Sequence, residues 1–146
     1  MSYNCLKILH IICAAFLLAC MGYSYHLWRY MQSPKDGAVR SQYIQTLTWL
    51  FIVPLALIQL ATGFSMISMN HEDISQLWIS GSVIGFITLV GGWFSFIYFL
   101  LLSQQVQIEG FSTERAGNYR RMQSMMLTVC ALAVLVMVFF MANKVA

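Results

Sequence analysis

Polar and apolar positions alternate along this chain in long blocks, and the blocks predict four helices. The first runs from Asn4 to Tyr30, with an apolar core from Ile8 to Met21 and an amphipathic extension from Gly22 to Tyr30. That core is about 14 residues, short of the roughly 20 that hydrocarbon requires, so the extension has to complete the span. Tyr23, Tyr25, Trp28 and Tyr30 read as an interfacial aromatic belt. Ser33-Pro34-Lys35-Asp36-Gly37 is a turn by its proline and glycine. Helix two covers Gln42 to Met69 and carries Pro54 near its middle, where a lost backbone hydrogen bond predicts a kink unless neighbours repair it. Asn70-His71-Glu72-Asp73 follows as a short polar connection. Helix three runs from Ser75 to Gln105, a polar loop covers Gln104 to Asn118, and helix four runs from Tyr119 to Asn143.

Composition fixes the class. With 60% hydrophobic and 9% charged residues and a mean hydropathy of +0.72, the chain is too apolar for a soluble domain. The expected fold is all-α: a single transmembrane four-helix bundle over residues 1–146, embedded in a lipid bilayer. A signal peptide is rejected, because Lys7 alone forms the basic region and no small-x-small site precedes the aromatic cluster. The net charge of +3 does not indicate nucleic acid, since eight basic residues scattered between apolar runs form no stripe for a phosphate backbone.

Those basic residues are topology signals. Arg29, Lys35 and Arg40 border the first connection and Arg115, Arg120 and Arg121 the third, whereas the second holds only Glu72 and Asp73. The positive-inside rule then puts the first and third connections in the cytoplasm and both termini outside, in a bacterial inner membrane. A reporter active only outside the cytoplasm should score positive when fused after Ala146 or within Asn70 to Asp73, and negative near Asp36 or Gly117. The reverse pattern would overturn the orientation.

Within that topology His10, Met66, Met69, His71, Trp78, Met137 and Met141 share one leaflet. Imidazole and thioether are haem-iron ligands, and together they also suit Cu(I). A histidine one turn inside an apolar span is costly in lipid and is usually paired or functional, so His10 leads the candidates, with an interhelical hydrogen bond as its bland alternative. His26 lies in the aromatic belt and reads as solvated. His71 is either a turn residue or a ligand. Cys5, Cys13, Cys20 and Cys130 form no CxxC and indicate neither zinc nor a disulfide framework. On helix three, Gly81, Gly85, Thr88, Gly92 and Ser95 follow at steps of four, three, four and three, which places them on one face. That face can pack a helix closely, let a flat porphyrin lie against the backbone, or do both along different turns.

The run Leu6-Lys7-Ile8-Leu9-His10, the run Val53 to Gly63, the frame from Trp78 to Trp93, and Tyr119-Arg120-Arg121 entering a helix that closes on Met141-Ala142-Asn143-Lys144 resemble a family of predicted bacterial four-helix integral membrane proteins of unknown function. That family is similar to a wider group holding the copper-resistance protein D domain and HemJ-type protoporphyrinogen oxidase. The resemblance implies that His10, matching the histidine of the KxLH opening in those oxidases, is a haem-b ligand. It also exposes two departures. The oxidases carry a lysine four residues after the helix-three tryptophan, where this chain has Ser82, and their helix-four Asn-x-x-Pro is replaced by Gln123-Ser124-Met125-Met126.

The expectation is therefore a haem-b-binding membrane protein with an electron-transfer or porphyrin-related redox role, related to but not fully equipped as the oxidase. His10 is the axial ligand, Met69 or His71 the second, and Gly81, Gly85 and Gly92 the porphyrin wall. A copper-handling protein using outer Met and His residues is the alternative. A structural subunit, in a homo-oligomer or larger membrane complex, is the third reading.

Overall fold

The computed structural model describes residues 3–30, 37–70, 76–108 and 113–143. Among these the chain is entirely helical: α1 (Tyr3–Tyr30), α2 (Gly37–Leu47), a π-helical turn (Thr48–Ile52), α3 (Val53–Met69), α4 (Leu77–Ile108) and α5 (Thr113–Asn143). Four segments are long and apolar enough to cross a membrane: Tyr3–Tyr30, Gly37–Met69, Leu77–Val106 and Gly117–Ala142. The chain is a multi-pass membrane protein. Its segments fall into two compact units, Met1–Asp73 and Ile74–Ala146.

In the first unit α1 packs on α2 and α3. Leu6, Cys13, Leu17, Met21 and Ser24 are the buried positions of α1, at steps of seven, four, four and three along one face. The other faces carry Ile8, Ile11 and Phe16, each more than half exposed. In water that exposure would be ruinous, but in a bilayer it is the surface hydrocarbon chains cover, and van der Waals fit rather than hydrophobicity holds the helices together. At the far end of α1, Arg29 Nη1 donates to the Tyr25 hydroxyl at 2.8 Å. His26 there stacks on Tyr30 with centroids 4.4 Å apart, in keeping with an interfacial belt.

The second span begins at Gly37, earlier than the polar text at its start suggested, and it contains no break at Pro54. A π turn, Thr48–Ile52, lies just ahead of the proline. Pro54 has no N–H and its ring crowds the carbonyl four residues back. The backbone answers by widening the preceding turn: the Val53 N–H bonds to the Thr48 carbonyl, five residues earlier. Thr48 Oγ1 donates in turn to the Ile44 carbonyl at 2.8 Å. Such single wide turns are the usual way a helix absorbs an irregularity while continuing.

The second unit is an antiparallel pair. α4 buries Ile79, Leu89, Trp93, Phe96, Ile97 and Leu100, and the partner positions on α5 run in strict register. Gly85 meets Met137, Gly92 meets Cys130 and the Phe99 carbonyl accepts from Gln123. Each step is seven residues up α4 and seven down α5. This is a heptad seam between antiparallel helices.

Both helices of this unit run further than the loop expected between Gln104 and Asn118, α4 to Ile108 and α5 from Thr113. Glu114, Arg115 and Ala116 are good helix formers, and polar turns beyond the hydrocarbon extend a helix at no desolvation cost.

Candidate functional site

The polar centre of the first unit is His10, on α1, and both of its ring nitrogens are engaged by α3. Nδ1 lies 2.7 Å from Thr62 Oγ1, and Nε2 lies 2.8 Å from Gln59 Nε2. Thr62 Oγ1 also lies 2.8 Å from the Ile58 carbonyl and 3.1 Å from the Gln59 carbonyl. When the hydroxyl hydrogen goes to one of these carbonyls, Thr62 accepts Nδ1–H, and the lone pair of a neutral ring falls on Nε2, where the Gln59 carboxamide nitrogen donates to it.

Spacing explains why one helix supplies both partners. Gln59 and Thr62 are three residues apart and so project from the same face of α3. Gly63 follows at once, and a Cβ there would stand 3.4 Å from His10 Cε1, so glycine keeps the imidazole edge close to the α3 backbone without forcing it. Gln59 and Thr62 are buried, at 9% and 6% exposure, in a helix that also exposes Leu57 and Phe64. Neither was singled out from the sequence. The available signal was their polarity: a glutamine and a threonine one turn apart within an apolar span need partners as much as His10 does.

The cluster is satisfied except at one atom. Gln59 Oε1 is buried without a hydrogen-bond partner, an arrangement that costs about 1–3 kcal/mol where no water can help.

The other expected site residues go elsewhere. Met69 is seven residues beyond Thr62 on α3, about 10 Å further along the helix axis, and is half exposed at 48%; the structure does not bring it to His10. His71 lies outside the described residues. Gly81, Gly85 and Gly92 form the flat face their spacing predicted, but it is covered by α5. A Cβ at Gly81 would fall 2.6 Å from the Phe140 ring, at Gly85 2.5 Å from Met137 Cγ, and at Gly92 2.9 Å from Cys130 Sγ. Of the two readings of that face, close helix packing is the one realised, and Met137 is part of the packing. Ser82 donates to the Trp78 carbonyl of its own helix at 2.7 Å.

Cys13, Cys20 and Cys130 form no disulfide. Among the described residues no three His, Cys, Asp or Glu side chains converge on a point that could hold a metal ion.

A family model described as predicted integral membrane protein (DUF2269) matches residues 4–145 of the chain. No curated protein and no solved structure matches it.

Proposed function

This chain belongs to that family of predicted integral membrane proteins, and from that premise we propose that it binds haem b through His10 and serves electron transfer or porphyrin-related redox chemistry in a bacterial inner membrane. One observation carries the reading: a threonine oxygen stands 2.7 Å from Nδ1 of an intramembrane histidine, an acceptor that would hold the ring proton there and leave the lone pair on Nε2. A metal-ligating histidine is held in just this way, its second nitrogen donating to an oxygen that fixes tautomer and ring plane. The resemblance of Leu6 to His10 to the KxLH opening of the HemJ-type oxidases supports the same assignment.

Ligand supply favours haem over a bare copper ion. Copper must draw its whole coordination shell from side chains, and among the described residues no three His, Cys, Asp or Glu side chains converge to supply one. Met137, one of the thioethers considered for it, is packed against Gly85. Haem brings its equatorial nitrogens with it and asks the protein for as little as one imidazole. When bound it would supply a one-electron couple, and the chain's own contribution would be orientation by Thr62 and exclusion of water by the apolar faces of α1 and α3. Ser82 in place of the oxidases' lysine turns the reading toward electron transfer rather than protoporphyrinogen oxidation.

An absorption spectrum of detergent-purified protein, made in cells supplied with haem precursor, tests the proposal. A Soret band that sharpens and shifts on reduction is expected, at about one haem per chain or less. Colourless protein would leave the cluster as an interhelical hydrogen bond and sink the redox reading.

A further inference from the structure

The nitrogen assigned to iron is closed. Gln59 Nε2 stands 2.8 Å from His10 Nε2, so no metal can reach that lone pair until the carboxamide leaves. The closing group is itself poorly anchored, since its Oε1 is buried with no partner while its backbone belongs to a helix that does not need to move. From these two facts, and resting on the haem reading above, we propose that Gln59 is a displaceable cap: it holds the His10 lone pair shut against ions that offer no more than one weak bond, and yields to porphyrin-bound iron.

The geometry divides the labour between two residues one turn apart. Thr62 Oγ1 lies 2.8 Å from the Ile58 carbonyl as well as 2.7 Å from Nδ1, so it can accept Nδ1–H whether or not Nε2 is occupied. Gln59 has the opposite character, with rotatable side-chain bonds, a single bond to the ring, and an unsatisfied oxygen that gains from any rearrangement giving it a donor. A hydrated divalent ion would have to shed its water in hydrocarbon, break the cap and find further ligands. Haem enters hydrocarbon readily and has to break only the cap. Its loss of one net neutral hydrogen bond corresponds to about a two- to tenfold penalty, small beside an iron–imidazole bond.

Substitutions of opposite sign test this. Full-length protein made without haem is purified in detergent, and hemin uptake is followed by stopped-flow absorbance for wild type, Gln59→Leu and Gln59→Glu. Gln59→Leu removes the cap at similar volume and should speed uptake and tighten binding about two- to tenfold. Gln59→Glu should slow uptake by a similar factor. Its carboxyl either donates O–H to Nε2 or, ionised, pairs with the imidazolium, and a charge-assisted bond is the stronger cap. A residue that merely packs would shift both variants the same way. Nitrogen-15 spectra of the haem-free protein give a readout independent of haem: in Gln59→Leu the His10 Nε2 resonance should move toward that of an unbonded ring nitrogen while Nδ1 keeps its proton. Uptake that is equal in all three, or changed in the same direction by both variants, overturns the cap and leaves haem binding standing. No uptake by any of the three, with helicity intact, overturns the cap and the haem reading together.

Discussion

Gly85→Leu should destabilise the α4–α5 hairpin by about 1–3 kcal/mol, the range for forcing volume into a closed packing site, and Gly92→Leu should do the same. The first atom of the new side chain already meets Met137 Cγ at 2.5 Å and the Ala133 carbonyl at 3.4 Å. Met137 can swing aside, but a backbone carbonyl cannot, and three more carbons have to follow the Cβ. The remedy is to push the helices apart, which unseats the same seam at Gly92 and at the Gln123 bond to Phe99, seven residues on at each step. An internal control lies next door. Gly91 has nothing within 4 Å of where a Cβ would stand, so Gly91→Ala should be neutral or stabilising by up to about 1 kcal/mol, the helix penalty of glycine. Thermal or SDS-titration unfolding of the purified protein reads the difference. If Gly85→Leu and Gly91→Ala melt alike, α5 does not lie in the glycine face.

The second large effect is expected at His10. His10→Ala should remove the Soret band and also destabilise the first hairpin, because the Gln59 carboxamide, already short of a partner at Oε1, loses its remaining one. Thr62→Val keeps the shape of the side chain and deletes only the acceptor for Nδ1–H. Haem affinity should then fall about 10- to 100-fold, the usual consequence of removing the group that orients a metal-ligating histidine. The haem-free protein should lose about 1–3 kcal/mol, as the ring N–H is left unsatisfied. The two changes should not add. Once His10 is gone Thr62 has no proton to accept, so a double-mutant cycle should show a coupling of about 1 kcal/mol or more. Strict additivity, with the Thr62→Val spectrum unaltered, would mean that the threonine does not set the tautomer.

Much of the fold is legible in the sequence, and the reason is physical. Hydrocarbon imposes a length and a polarity on each span, and both are local properties of the text. What is not local is harder to read. The widened turn at Thr48–Ile52 depends on how a backbone disposes of one missing N–H, and Pro54 alone does not say whether it will kink or bulge. The helical ends at Ile108 and Thr113 lie outside hydrocarbon, where polarity no longer separates helix from loop. His10 stands out because it is a single polar group in an apolar run. Its partners Gln59 and Thr62 are 49 and 52 residues away, and no spacing rule links them to it. The glycine face shows the same limit: its steps reveal the flatness, whereas what lies on it is fixed by a register with α5. Met69 lies two turns of its own helix beyond Thr62, a separation that a shared leaflet does not register.

That both partners of His10 reside in the second span matters for how the protein is made. An imidazole delivered into lipid with the first span has neither partner until Gln59 and Thr62 have been synthesised, 49 and 52 residues later. At about 5–20 residues per second that wait is roughly 3–10 s, after which the cluster can close within one hairpin. The exposure of a polar group to hydrocarbon during synthesis is thus set by one connection and one span.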